Sequence, residues 1–237
     1  MTLKLYWSPD SANLVIRVAL EMLELPFETA RVNRGAAEHK APEYLAKNPQ
    51  GLLPVLEDGD LILFETGAIL WHVMERAGRM GPDGPDMSEP TARAAALKWM
   101  FWISNTLHAD LRCAFYSHRY VPEEMIPVFR DGLRARMRAH CDLMEAQLGQ
   151  GGLLGPSVIV PDVYLSICLR WAQIYPSQDQ VMVDALAPWP RIAGLAARIE
   201  AMPAAVRSFE AESIAPVGAL SASRVPELPS DQVTGAI

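Results

Sequence analysis

The first 78 residues alternate between short extended runs and helical runs, whereas the chain after about residue 90 is helical almost throughout. Residues 3–7 (LKLYW) predict a strand, and residues 11–25 carry apolar side chains at helical spacing. The order continues as β-α-β-α-β-β-α, with further strands at 27–32, 55–57 and 61–64 and helices at about 38–47 and 66–76. This alternation predicts a small α/β domain over residues 1–78.

The composition changes after this domain. Residues 79–90 are rich in Gly and Pro and predict a linker. The rest of the chain to residue 214 predicts an all-α domain (91–214), with helices at 91–117, 122–148 and 161–175. The tail, 215–237, has no periodicity and predicts an extended or disordered arm.

The overall charge limits the classes of partner. The formal net charge is −7, which argues against nucleic acid or an anionic membrane as the main partner. The three cysteines have no metal-ligand spacing and form no disulfide framework, so we expect no metal and a reducing compartment. With no signal peptide or bilayer-length apolar run, the sequence predicts a soluble, cytoplasmic protein.

Pro54 lies inside an apolar run, Leu-Leu-Pro-Val-Leu, that otherwise has the pattern of a buried strand. Proline has no N–H to donate to a sheet and is normally excluded from strand interiors. Either Pro54 simply begins the strand, or the Leu53–Pro54 bond is cis and turns the backbone of Leu53 sideways. An extended peptide-like ligand could pair with that backbone as an added strand does.

Glu65 and Thr66 lie between the last strand of the domain and the helix after it. Thr66 is predicted to be the N-cap, and the N–H groups of a helix N-terminus attract a carboxylate. Glu65 can accept a charge-assisted hydrogen bond from an ammonium group. The pair predicts a receptor for the two charged ends of an amino acid, or alternatively an ordinary helix cap beside a surface carboxylate.

The loop after the first strand reads Ser8-Pro9-Asp10-Ser11. In thiol-disulfide oxidoreductases of this topology the same loop carries Cys-Pro-x-Cys, whereas serine occupies both cysteine positions here. This chain therefore has no redox dithiol at the site. The Ser11 hydroxyl can instead donate a hydrogen bond to a bound thiolate or cap the first helix, and the two roles are compatible.

Four motifs in order, KLYWSP, VALEMLELPFE, EYLAKNPQGLLPVLEDG and FETGAILWHVMER, resemble those of the cytosolic glutathione transferases, and the resemblance extends to about residue 212. It implies a thioredoxin-like N-terminal domain followed by an all-α domain, with glutathione as co-substrate. It also implies that Leu53 and Pro54 contact the cysteinyl part of glutathione, and that Glu65 and Thr66 hold its γ-glutamyl group.

The region around His108 (WISNTLHADL) is similar to the bacterial beta-like branch of that family, which has a cysteine in the catalytic loop. A gapless match places Ala12 at the cysteine position, so another group must activate the thiol. Ser11 and Asn13 are the two catalytic candidates, and Ser11 occupies the position of the serine-type members.

Three further candidates each have two interpretations. By residue type Lys40 matches a basic residue that contacts the glycyl carboxylate of glutathione, but it is equally a solvated surface lysine. His108 and Phe115 lie on the long helix, where they either line a substrate pocket between the domains or belong to the packing of the helix.

The resemblance implies that the chain activates glutathione as a thiolate for attack on a small hydrophobic electrophile, and that it forms a homodimer. Isomerisation, dehalogenation and peroxide reduction use the same thiolate and stay open. The alternative is a non-catalytic member of the fold that binds ligands or a partner protein.

Overall fold

The computed structural model describes residues 2–149, 151–176, 179–182 and 186–214. The predicted tail, 215–237, lies outside the described residues. No helix in the described part is long and apolar enough to cross a bilayer. The strands and helices, in chain order, are β1 (Leu3–Trp7), α1 (Asn13–Met22), β2 (Phe27–Arg31), α2 (Pro42–Leu45), β3 (Val55–Asp58), β4 (Leu61–Phe64), α3 (Thr66–Ala77), α4 (Pro90–Trp102), α5 (His108–Phe115), α6 (Ile126–Gln147), α7 (Val160–Ile174), α8 (Pro190–Glu200) and α9 (Pro203–Glu212).

The four strands form one sheet in the order β2-β1-β3-β4. β1 runs parallel to β2 and antiparallel to β3, with Leu5 opposite both Thr29 and Leu56. β3 and β4 form a hairpin whose turn contains Gly59 at φ 62, a conformation that glycine adopts without steric cost. The sheet and its helices form the thioredoxin-like domain predicted from the sequence, and the elements after it are mostly helical, also as predicted.

Helix α1 is the centre of the molecule. Nine of its ten residues are buried, and it contacts α3 beside the sheet as well as α7 and α9 of the helical region. One hydrophobic core therefore runs from Leu5 through α1 to Tyr164 on α7. Met80, in the predicted linker, is also fully buried in this core. Because α1 packs on both the N-terminal domain and the helical region, the position of the loop before it (residues 8–12) depends on both.

The helix expected over about 38–47 is wrong in its extent. The structure has a 3-10 turn at Glu38–Lys40 and a separate short helix, α2. Ala41 between them is extended (φ −66, ψ 147), since Pro42 disfavours the helical conformation in the residue before it.

The long helix expected over 91–117 is interrupted. A π-helical turn at Ile103–Leu107 separates α4 from α5, and α5 ends at Phe115. Such turns shift the register of the side chains that follow and occur frequently at functional sites. Here the turn lies directly before His108, so it sets the direction in which the side chains of α5 point.

Candidate functional site

A cavity of about 220 Å³ is lined by both parts of the chain. The N-terminal domain contributes the 9–12 loop, residues 48–54, two positions after β2 and the start of α3. The helical region contributes α5, the turn after it and the end of α7. The predicted site residues that line this cavity are Ser11, Leu53, Pro54, Glu65, Thr66, His108 and Phe115. Asn13 and Lys40 are not among the lining residues.

The peptide bond between Leu53 and Pro54 is cis, which is the second of the two interpretations that the sequence left open. Asn48 braces the loop before it, since Asn48 Nδ2 donates a hydrogen bond of 2.8 Å to the Leu52 carbonyl. The pairing of β3 with β1 begins only at Val55. The backbone of Leu53 therefore lies outside the sheet, at the cavity wall.

The prediction that Thr66 is an N-cap is wrong. The chain passes from β4 to α3 within one residue, so Glu65 takes the cap position, with φ 74 and no side-chain capping bond, and Thr66 begins the helix. The N–H groups of the first turn of α3 consequently have no partner inside the helix. Glu65 is a strained non-glycine residue at a cavity wall, which is where such strain is commonly functional.

Asp10 is the other strained residue of the wall, with φ 50. Its carboxylate is buried and accepts hydrogen bonds from the Arg170 guanidinium, from Trp171 Nε1 at 3.1 Å and from the Tyr175 hydroxyl at 2.7 Å. Its backbone N–H donates to Glu212 Oε2 at 3.0 Å. The loop that carries Ser11 is thus tied to α7 and α9.

Ser11 and Asn13 have different surroundings. Asn13 is fully buried: its Oδ1 accepts from the Ser8 N–H at 3.0 Å, and its Nδ2 donates to Glu212 Oε1 at 2.7 Å. Ser11 Oγ contacts Asn13 Oδ1 and lies 3.2 Å from the Ser8 carbonyl. The expected cap role of Ser11 is wrong, since Ala12 takes that position without a side-chain bond. In this arrangement Ser11 reaches the cavity, whereas Asn13 holds the loop.

Glu212, the last residue of α9, is the buried acceptor of this network. Besides Asn13 and Asp10 it contacts Arg17, whose Nε donates to Oε1 at 3.1 Å. Burial raises the pKa of Glu212 to about 7, and the positive charge of Arg17 only partly opposes this. The carboxyl group that supports the loop therefore titrates near neutral pH.

His39 rather than Lys40 faces the cavity from the segment before α2. Gly51 lies against this segment with φ 63, and a Cβ on it would come within 2.8 Å of the His39 carbonyl. Only glycine fits this close approach. The loop of residues 48–54 is therefore held against the segment that carries His39.

His108 lies at the start of α5, with Nδ1 2.7 Å from the Tyr164 hydroxyl and its ring 5.4 Å from that of Trp171. Burial, and secondarily the charge of Arg112, lowers its pKa to about 4. His108 is consequently a neutral imidazole at pH 7. Phe115, three residues beyond Arg112 on the same helix, packs edge-on against Tyr175 at 5.8 Å between ring centroids.

Sequence reasoning missed most of the helical wall. Besides His108, Phe115 and the adjacent Tyr116, this wall contains Arg112, Arg119, Trp171, Tyr175 and Pro176. Helical spacing from His108 would have found Arg112 on the same stripe as Phe115. Arg34, which joins them from the chain after β2, has no local signal.

The cysteines lie apart from this chemistry. None of the three lines the cavity, and burial raises the pKa of the Cys141 thiol to about 12. Among the described residues no three His, Cys, Asp or Glu side chains are grouped so as to hold a metal ion.

Residues 1–75 match the family profile described as glutathione S-transferase, N-terminal domain. Among curated relatives, glutathione S-transferase GST-4.5 of Xanthomonas campestris pv. campestris is 31% identical over 172 residues, covering 72% of this chain and 82% of the relative. Glutathione S-transferase GstB of Escherichia coli (strain K12) is also 31% identical, across 70% of this chain and 85% of the relative.

Solved structures share the fold over nearly the whole described chain. A glutathione S-transferase from Xylella fastidiosa matches with a TM-score of 0.75 and 26% identity, covering 90% of this chain and 100% of that one. A glutathione transferase homologue from Sulfitobacter, crystallised with bound glutathione, matches with a TM-score of 0.73 and 26% identity. The match covers 89% of this chain and 98% of that one.

Proposed function

Because the chain belongs to the glutathione S-transferase family and is an enzyme of that family, we propose that it binds reduced glutathione in the cavity, holds it as a thiolate and transfers it to a small electrophile. The observation that carries this proposal is that three separate segments bring Ser11, Leu53 and Glu65–Thr66 to one cavity. We infer a cytoplasmic location, where the reducing glutathione pool is kept.

The γ-glutamyl end of glutathione is an amino acid with an ammonium and a carboxylate group. Glu65 accepts a hydrogen bond from the ammonium group, and the N–H groups at the start of α3, beside Thr66, receive the carboxylate. Gln50 Nε2 lies 3.4 Å from Glu65 Oε1 and supports its orientation. The cysteinyl residue then pairs with the backbone of Leu53 as an added strand would.

The thiol group ends near Ser11 in this placement. The Ser11 hydroxyl has one proton, which it turns from Asn13 Oδ1 or the Ser8 carbonyl toward the sulfur of glutathione. A hydrogen bond to the ionised form lowers the thiol pKa, and the N-terminus of α1 acts in the same direction. Asn13 is a positioning residue, since its amide is committed to Ser8 and Glu212.

Within the family, we place the chain near the bacterial beta-like branch, with Ala12 in place of its catalytic cysteine. Ala12 lines the cavity, so this position offers no protein thiol to form a mixed disulfide with glutathione. The chemistry of the site is therefore direct attack by the glutathione thiolate on a bound electrophile.

A homodimer is part of the proposal. The edge strand β4 exposes Leu61 and Ile62, and α4 exposes Leu97 and Phe101, which is 58% exposed. These apolar side chains would be covered if β4 of one subunit packed on α4 of the other. Sedimentation showing a monomer at micromolar concentration rejects the dimer, and Phe101→Glu should shift a dimer toward monomer.

The test of the function combines binding and turnover. We expect the protein to be retained on immobilised glutathione and to accelerate the conjugation of glutathione with a chlorodinitrobenzene. Retention without turnover on a panel of electrophiles would favour the non-catalytic alternative. Absence of glutathione binding in a calorimetric titration would refute the proposal.

A further inference from the structure

Three arginines line the cavity. Arg112 lies on α5, Arg119 in the turn after α5 and Arg34 in the chain after β2, and all three are half-buried. The chain as a whole carries a net charge of −7, whereas three positive charges are grouped around this one cavity. Such grouping of one sign in a cleft concentrates ligands of the opposite sign.

Neither of the two carboxylates in the lining pairs with Arg112 or Arg34. Asp10 and Glu65 are the carboxylates among the lining residues. Asp10 is already satisfied by Arg170, Trp171 and Tyr175, and Glu65 belongs to the opposite wall at the start of α3.

Within the described residues, the guanidinium groups of Arg112 and Arg34 make no ion pair and donate no hydrogen bond. Charges that are withdrawn from water are normally paired, because leaving them unpaired costs free energy. An anionic ligand would supply the missing partner.

The charges of the three arginines are close enough to influence one another. Burial lowers the pKa of Arg119, and the charges of Arg112 and Arg34 lower it further. The charge of Arg112 also reaches His108, and that of Arg34 reaches Tyr175. The guanidinium groups therefore repel one another across the cavity, and a bound anion would relieve this repulsion.

Aromatic rings line the same cavity as the arginines. Phe115 packs on Tyr175, the guanidinium of Arg119 lies 4.3 Å from the ring centre of Tyr116, and Trp171 lies beside His108. Rings of this kind form a wall for a flat unsaturated body.

We propose that the electrophile is a flat aromatic molecule that carries a carboxylate or another oxyanion, with Arg112, Arg34 and Arg119 binding the oxyanion. This inference rests on the proposed glutathione transfer and names its substrate class. With an aryl chloride, the thiol loses its proton to solvent and the thiolate sulfur forms a bond to the ring carbon. The carbon–chlorine bond then breaks, and chloride leaves with the electron pair.

The experiment compares 4-chloro-3,5-dinitrobenzoate with its neutral methyl ester. Each kcat/KM is divided by the uncatalysed rate constant of the same compound with glutathione, which removes the difference in intrinsic reactivity. We expect the benzoate to be preferred by about tenfold or more, since only the benzoate can accept charge-assisted hydrogen bonds through an oxyanion. The preference should decrease as salt is added.

Arg112→Gln should reduce this preference about tenfold, Arg34→Gln should reduce it in the same direction, and Arg112→Lys should retain part of it. Arg93→Gln removes an equal charge outside the cavity, where Arg93 pairs with Glu75, and should leave both rates unchanged. Thermal midpoints identify any variant that fails to fold, and Arg34, in a loop, provides the second test.

Equal normalised rates for the two compounds in the parent would overturn the inference and leave glutathione transfer standing. Absence of turnover of both compounds would overturn the proposed function and this inference with it. The remaining result is that Arg112→Gln weakens the binding of glutathione itself as much as it lowers benzoate turnover. Arg112 would then hold the glycyl carboxylate of glutathione, and the inference would be wrong.

Discussion

The hydroxyl of Ser11 has one proton and two acceptors in reach, Asn13 Oδ1 and the Ser8 carbonyl. If it donates to the thiolate of bound glutathione, Ser11→Ala should raise the pKa of that thiol by about one to two units while barely changing affinity. Turnover should fall at neutral pH and partly recover as the pH rises. Thiolate absorbance in the ultraviolet, measured against pH, reports the shift.

Asn13→Ala is the paired variant for this measurement. Since Asn13 supports the loop through Ser8 and Glu212, we expect it to lower the thermal midpoint as well as turnover. A thiol pKa that shifts only in the Asn13 variant would transfer the donor role to Asn13. If neither variant shifts it, the backbone N–H groups at the start of α1 are the activator.

Glu65 is predicted to contribute binding free energy rather than reactivity. Glu65→Ala should weaken glutathione binding by about 1.5–3 kcal/mol, because it removes a charge-assisted hydrogen bond to the ammonium group. Calorimetric titration measures this change. Glu75→Ala, near the other end of α3 and outside the cavity lining, is the matched control. Unchanged affinity in the Glu65 variant would contradict the receptor for the glutamyl group.

At the scale of elements, the N-terminus of α7 depends on one carboxylate. The sequence has Ile159 where an N-cap hydroxyl is usual, and the structure shows Asp162 accepting from the Ile159 N–H at 2.9 Å and the Leu153 N–H at 2.8 Å. Burial raises the pKa of Asp162 to about 6, although these two hydrogen bonds oppose the shift. If the Asp162 carboxylate were removed, the N–H groups of Ile159 and Leu153 would both lose their hydrogen-bond acceptor.

Asp162→Ala should therefore destabilise the protein by about 2–6 kcal/mol, since each of the two orphaned buried donors costs about 1–3 kcal/mol. Asp162→Asn keeps an acceptor and should cost less. Denaturant unfolding measures the change, and turnover per folded molecule should stay within about twofold, as Asp162 is not a lining residue. A loss below about 1 kcal/mol would mean that water satisfies these donors.

The elements that the sequence predicted well are those with a strong local signal. The period of apolar residues predicts α1, and the dipeptide Asp58-Gly59 is typical of the hairpin turn that joins β3 to β4. The 38–47 helix failed because the conformational effect of Pro42 on Ala41 outweighs the polar helical pattern. The π turn before His108 has no comparable signal in a single sequence.

The residues of the site also differ in whether a local sequence signal marks them. Glu65, Thr66 and Leu53–Pro54 are adjacent in sequence to turns and helix ends, so local reasoning found them. Contacts between distant positions could not be found by such reasoning: Asp10 and Arg170 are 160 positions apart, and Asn13 and Glu212 are 199 apart. Only the packing of α1 against α7 and α9 brings these groups together.

At the scale of the whole molecule, the loop that carries Ser11 is assembled by the C-terminal helices. Glu212 accepts from the Asp10 N–H and from the side chains of Asn13 and Arg17, so the last turn of α9 and the start of α1 are one buried polar unit. A change in the charge of Glu212 therefore acts on global stability and on the shape of the site together.

The direction of the resulting pH dependence follows from the pKa of Glu212, which is about 7 in the folded chain against an ordinary value of 4.5. Between these values the folded chain binds more protons than the unfolded chain. The contribution of Glu212 to stability is therefore fully present below about pH 4.5 and is lost as the pH rises through 7, a change of about 3 kcal/mol. Denaturant unfolding of the parent and of Glu212→Gln from pH 5 to pH 8 measures it.

Burial also raises the pKa of Asp162 to about 6 and that of Glu200 to about 7, so both add to the slope of the parent with the same sign. Glu212→Gln cannot ionise but leaves these two groups in place. The free energy of unfolding of the parent, minus that of the variant, should consequently decrease as the pH rises, and this difference isolates Glu212. A difference that instead increases with pH would mean that Arg17 and Asn13 stabilise the charged carboxylate more than burial penalises it. The loop would then be held by an ion pair at every pH in the range.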